Sequence, residues 1–141
     1  MNMADVNARS VALDVLRAVQ QRGAFADAML GRALNEGTLT KEEDRRLATQ
    51  LVYGVLAQKL RLDHTIEAYS AHGKLDRNVG VALRIGLYQL AFLARVPAYA
   101  AVDTTVALVR RFAPHASGFV NAHSHGVGED GAVRRQCDAV H

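Results

Sequence analysis

A single cysteine, Cys137, is the only thiol in 141 residues, so the chain cannot close an internal disulfide on itself. A reducing cytoplasm is therefore the expected compartment. No uninterrupted apolar stretch approaches the ~18 to 20 residues that a membrane span needs. The opening residues, Met1 to Asp5, lack the charged-then-apolar layout of a secretory signal. Gly86 and Gly118 each stand alone in otherwise helical sequence, so no phosphate-cradling glycine loop is present. The length leaves room for one domain, or one domain and a tail. Membrane proteins, disulfide-stapled secreted scaffolds and two-domain enzymes are not the expected classes.

What is present is ordinary globular material: 50% hydrophobic and 22% charged residues. That is too apolar for a disordered chain, and this length buries enough surface to fold without metal or disulfide. The formal net charge is +3, and only 3 of the 17 basic residues are Lys; the other 14 are Arg. Arginine presents a planar fork of donors that matches phosphate oxygens and stacks on bases, which suits RNA. High-GC coding also enriches Arg over Lys, so composition alone leaves both readings open.

The apolar spacing is helical almost throughout, and no alternating strand pattern is found, which predicts an all-α fold of six or seven helices. Ala8, Ala12, Val15, Leu16 and Val19 form the stripe of a first helix ended by Gly23. Phe25, Ala26, Leu30 and Leu34 predict a second, closed by Gly37. Thr40 to Glu43 fits a capping box that opens a third helix carrying Leu47, Leu51, Val55 and Leu56. Leu60, Leu62 and Ile66 continue the pattern after a bend, and Ser70–Gly73 reads as a loop. The longest run, Leu75 to Leu93, contains Gly86 inside its stripe. Glycine there costs about 1 kcal/mol against Ala, which points to close approach of another helix. Pro97 is expected to stop that run. Val102, Val106 and Val109 mark the next helix, ended at Ala113–Pro114.

Periodicity stops at residue 122. The expected organisation is a helical domain over 1–121 and an irregular tail over 122–141. The tail carries Arg134 and Arg135 against Glu129, Asp130 and Asp138, a net −1, leaving +4 on 1–121. His123, His125, Cys137 and His141 have metal-ligating side chains, but their spacing fits no closed structural zinc site, so no metal is expected. Cys137 lacks the shaped pocket and held base that a nucleophile needs. Asp63 and His64 are adjacent on a helix and point about 100° apart, which reads as a surface pair facing water. Glu42, Glu43 and Asp44 suit the positive end of a helix. No catalytic site assembles. The stronger candidates are basic: Arg9 and Arg17 with Gln20, Gln21 and Arg22 on the first helix, Arg32 on the second, and Arg110–Arg111 closing the helix of Val102 to Val109. Together they would make an Arg-rich surface with amides able to contact base edges, although helix C-termini favour cations for their own reasons.

The stretch Leu83–Leu90 (LRIGLYQL) resembles a helix motif of the NusB family, as do Val96–Asp103 (VPAYAAVD), Phe119–Asn121 and Ala8–Leu13. Leu39–Thr49 and Leu51–Leu56, with Leu62, Asp63 and Ile66, resemble the domain that precedes the catalytic domain of RsmB/Sun-type methyltransferases, enzymes that make 5-methylcytosine in 16S ribosomal RNA. The resemblance covers about residues 7–121. It implies an all-α RNA-binding and protein-docking module without catalysis or cofactor, acting in the cytoplasm on RNA, either ribosomal or boxA-like, with a ribosomal protein as possible partner. Neither membrane nor DNA is an expected partner. A transcription antitermination factor is the alternative role, and a docking domain without RNA contact a second one.

Position by position, the resemblance implies RNA contacts at Arg9 and Phe119. Arg9 would pair with phosphate, and Phe119 would either stack on a base or anchor the core. Arg17 stands where antitermination relatives carry an aromatic. Arg84 and Asn121 read as structural. Together with the basic residues of the first helix and the Arg110–Arg111 pair read above, the expected RNA-binding set is Arg9, Arg17, Gln20, Arg110, Arg111 and Phe119. The sequence departs from the methyltransferase pattern after residue 121 or 122: no S-adenosylmethionine fold or paired catalytic cysteines follow, as expected of a truncated or frame-shifted reading frame.

Overall fold

The computed structural model describes residues 6–69 and 76–112. Six helices make up the described residues: α1 (Ala8–Arg22), α2 (Ala26–Asn35), α3 (Glu42–Ala57), α4 (Lys59–Tyr69), α5 (Arg77–Phe92) and α6 (Ala98–Arg110). No strand occurs among them, and the fold is all-α. The chain divides into two compact units, Met1–Leu56 and Ala57–His141. The predicted loop at Ser70–Gly73, the expected stop at Ala113–Pro114 and the domain boundary at 122 lie outside the described residues.

In the first unit α1 packs on α2. α1 starts from a reciprocal cap. The Asn7 side chain accepts from the Arg9 and Ser10 backbone N–H groups (2.9 and 3.0 Å), while the Ser10 hydroxyl accepts from the Asn7 N–H at 2.9 Å. These bonds satisfy N–H groups that a helix start otherwise leaves orphaned. Gly23 ends α1 in the left-handed region (φ 64°), as its position predicts. Ala8, Val11, Leu39 and Ala48 form a buried cluster, with Val6, Ala33, Leu34 and Leu47 packed around it. The connection into α3 is tied down by Arg45, whose Nη1 donates to the carbonyls of Leu34 (2.9 Å) and Leu39 (3.4 Å).

α2 runs to Asn35 with Glu36 at its C-cap, and Gly37, at φ 76°, closes it in the left-handed region as expected. Two boundary expectations in the first unit need correction. Phe25 is the N-cap of α2 and 82% exposed, not part of the buried stripe. The turn after Gly23 brings it in with extended backbone (φ −80°, ψ 128°), off the helical face. α3 begins at Glu42, where the Arg45 N–H reaches the Lys41 carbonyl at 3.1 Å. The cap position is therefore Lys41, one residue after Thr40, and the predicted Thr40–Glu43 box is out of register. Glu42, Glu43 and Asp44 do sit in the first turn, where carboxylates face the positive end of the helix.

In the second unit α5 packs against both α4 and α6. Most of its residues from Val79 through Ala91 are buried, as expected of a helix covered by two neighbours. Asp76 caps it, accepting from the Asn78 and Val79 N–H groups at 2.8 and 3.3 Å. The predicted close approach at Gly86 is present. A Cβ built there would clash with the Thr105 hydroxyl and lie 2.9 Å from Thr105 Cγ2. Thr105 is held in place because its buried hydroxyl donates to the Ala101 carbonyl at 2.6 Å.

Helical structure is interrupted at Gln58 before α4. Leu62 and Ile66 are buried, whereas Leu60 is 78% exposed and leaves the predicted stripe. The run through Gly86 ends at Phe92, short of Pro97. Leu93 leaves helical geometry (φ −108°, ψ 89°), and the Val96 N–H bonds back to its carbonyl at 3.1 Å. Pro97 instead opens α6 as its N-cap, in extended conformation. No helix among the described residues is long and apolar enough to cross a membrane.

Candidate nucleic-acid interface

Arg9, Arg17 and Gln20 all lie on α1. At 100° per residue Arg9 is only about 40° from Leu13 and about 20° from Leu16 around the axis, and both leucines are buried. Arg9 is accordingly half-buried, with only part of its side chain facing solvent. Loss of water pushes its pKa down, and the negative charge of Asp44 works against that shift. The guanidinium remains a cation, as arginine does in proteins. Its charge is nonetheless shared with an acid of α3 and is not wholly available to a phosphate.

Arg17 stands about 80° further round α1. Its Nη1 is 3.9 Å from Asp14 Oδ1, with both side chains partly exposed. An exposed pair at this spacing is worth little and exchanges readily for another anion. Gln20, Gln21 and Arg22 are exposed at the C-terminal end of α1. Arg32, exposed on α2, joins Arg22 at the rim of a groove of about 330 Å³ between α1 and α2; Val11, Val15 and Met29 contribute apolar lining.

Arg110 and Arg111 belong to the second unit, exposed in the last turn and at the C-cap of α6. The Arg111 guanidinium carbon lies 5.7 Å from the centroid of the Phe112 ring, a cation–π distance. Phe119, Asn121, Cys137 and the tail histidines His123, His125 and His141 lie outside the described residues. The expected set therefore falls as three residues on α1 and two at the end of α6, each in its own unit. Among the described residues, no three His, Cys, Asp or Glu side chains converge in the manner of a metal site.

Arg84 is structural, as the motif reading implies: its Nε donates to Asp63 Oδ1 at 2.6 Å, joining α5 to α4. Lys59 Nζ reaches the other oxygen of Asp63 at 3.2 Å. This corrects the reading of Asp63 and His64 as a pair facing water. Asp63 is drawn into a three-residue charge cluster, while His64 alone is exposed.

Two exposed rings of the first unit escaped the sequence reading. Phe25 stands at the α1–α2 turn. Tyr53, 42% exposed on α3, donates its hydroxyl to Asp27 in the first turn of α2. That hydrogen bond, more than burial, pushes the Tyr53 phenol up from its ordinary value.

Residues 6–122 match the model of the NusB family. Relatives fall on two sides. "Probable ribosomal RNA small subunit methyltransferase B" of Synechocystis sp. is 38% identical over 107 residues, covering 74% of this chain and 24% of that protein. The protein of the same name in Bacillus subtilis is 28% identical over 131 residues, 92% of this chain and 29% of its own length. "Transcription antitermination protein NusB" of Nocardioides sp. is 38% identical over 105 residues, 72% of this chain and 76% of the relative. The chain thus spans about a quarter of the methyltransferase relatives it matches and about three quarters of the antitermination relative. With an all-α fold, the motif helices in place and a family match across both units, the chain belongs to the NusB family.

Proposed function

We propose that the chain is a non-catalytic RNA-binding module, serving as the NusB-like part of a 16S ribosomal RNA cytosine-5 methyltransferase. The observation that supports this most is the match to proteins named ribosomal RNA small subunit methyltransferase B, confined to about a quarter of their length. A module of that kind supplies substrate affinity while chemistry resides elsewhere. The partly exposed or exposed Arg17, Gln20, Arg110 and Arg111 are the groups that would meet RNA. Arg9 contributes a shared, half-buried charge that sets orientation more than strength.

The antitermination reading is favoured by one specific observation, the 76% coverage of the Nocardioides protein. Competition binding separates the two. A 16S ribosomal RNA fragment should displace labelled 16S RNA at lower concentration than a boxA RNA does. The reverse order would favour antitermination, and absence of binding to either RNA at low salt would leave a docking domain without RNA contact.

A further inference from the structure

We propose that Phe25 is a stacking platform for an unpaired nucleobase, so that the RNA site extends off α1 into the α1–α2 corner. The inference rests on the RNA-binding reading above and adds a base-contacting residue to it.

Phe25 holds 82% of its surface in water, an unfavourable place for a ring that folding could have buried. Its backbone is fixed: Gly23 turns the chain in the left-handed region, and the Phe25 carbonyl accepts from the Met29 N–H at 3.1 Å. The ring is therefore carried on an ordered corner. Immediately before it on the chain come exposed Gln20, Gln21 and Arg22. Amide side chains pair with base edges and a guanidinium pairs with phosphate. Two residues beyond Phe25, Asp27 accepts the Tyr53 hydroxyl, which holds a second, partly exposed ring against the first turn of α2.

Charge decides which part of a nucleotide belongs here. The Asp27 carboxylate repels phosphate, so the backbone of the strand is directed toward Arg22 and a base face toward the rings. Area argues against a protein occupant. Among the described residues of the first unit, Phe25 and Tyr53 are the only exposed large hydrophobic side chains. A stable protein interface needs about 800 Å² from each partner with an apolar centre, and two rings flanked by amides and charges do not provide one. One exposed ring that closely follows a cation and amides along the chain is the equipment of single-strand recognition.

The sequence contains no tryptophan, so Phe25→Trp places the chain's only indole at the proposed platform. Binding of a short mixed-sequence single-stranded RNA to the full chain is read by anisotropy of the labelled RNA and by indole fluorescence. Wild type and Phe25→Trp should bind alike, and the single strand should quench the indole, whereas a duplex of the same sequence should not. Phe25→Ala should weaken single-strand binding by about tenfold and leave duplex binding unchanged. If wild type binds but Phe25→Ala matches it, or the indole signal does not respond, the platform is refuted while the RNA-binding reading stands. If wild type binds no RNA, both fall. A concentration-dependent dimer in sedimentation that Phe25→Ala dissolves would assign the ring to a second copy of the chain and overturn the inference. Should Phe25→Ala alter the circular dichroism spectrum, the quenching experiment decides by itself.

Discussion

Single side chains set the local chemistry of the first unit. The Tyr53 hydroxyl donates to the Asp27 carboxylate, and a phenol that gives up its proton loses that bond. The Tyr53 pKa is raised in the folded chain, so the stabilisation is complete below the phenol's unfolded pKa of about 10. It disappears as pH climbs through the higher folded value. A phenolate absorbance titration should show one tyrosine ionising later than a free phenol, and Asp27→Asn should bring that step back toward the ordinary range. Arg45 offers a second check. Its guanidinium donates to two backbone carbonyls, and Arg45→Ala should cost about 1.5 to 3 kcal/mol in urea unfolding. Arg45→Lys should recover only part, since an ammonium lacks the planar fork.

Helices and their seams were largely legible in the sequence, because a 3.6-residue apolar period survives wherever one stripe is buried. Gly86 is the clearest case: an internal glycine in the longest amphipathic run implied a neighbour pressing on the backbone, and Thr105 is that neighbour. In a free helix Gly→Ala is worth about 1 kcal/mol of stabilisation. Here the added methyl meets Thr105, so Gly86→Ala should instead lower stability by about 1 to 3 kcal/mol. Thr105→Ala in the same chain should return most of that loss, and thermal unfolding of the two variants tests both. Helix ends were less legible. Pro97 looked like a stop signal but starts α6, since a fixed φ suits a helix entrance as well as an exit. Thr40 looked like a cap, yet the Arg45 tether and the Lys41 carbonyl set the register one residue later.

At the scale of the whole molecule, the net charge of +3 is small, so the arrangement of the arginines matters more than their sum. Sequence reasoning located the cations on α1 and at the end of α6 but could not see which ones water reaches. Arg9 falls on the face of Leu13 and Leu16 and shares its charge with Asp44, a property that only the packed structure reveals. If Arg17, Arg110, Arg111 and one further cation neutralise phosphates, log K for single-stranded RNA should fall against log salt with a slope of about −3. Arg110→Ala with Arg111→Ala should flatten that slope by about 1.4, while Arg84→Ala, which removes a partner of Asp63, should change stability and leave the slope alone. Equal slopes for wild type and the Arg110/Arg111 double variant would remove the α6 terminus from the interface.

The Arg45 fork has a practical consequence for the connection it spans. By gripping Leu34 on one side and Leu39 on the other, it pins both ends of the segment holding Glu36, Gly37 and Thr38, all solvent-facing. Added length there would bulge outward without loosening either anchor. That makes the segment a natural place to graft an epitope or a fluorophore, and a receptive one only while residue 45 remains arginine.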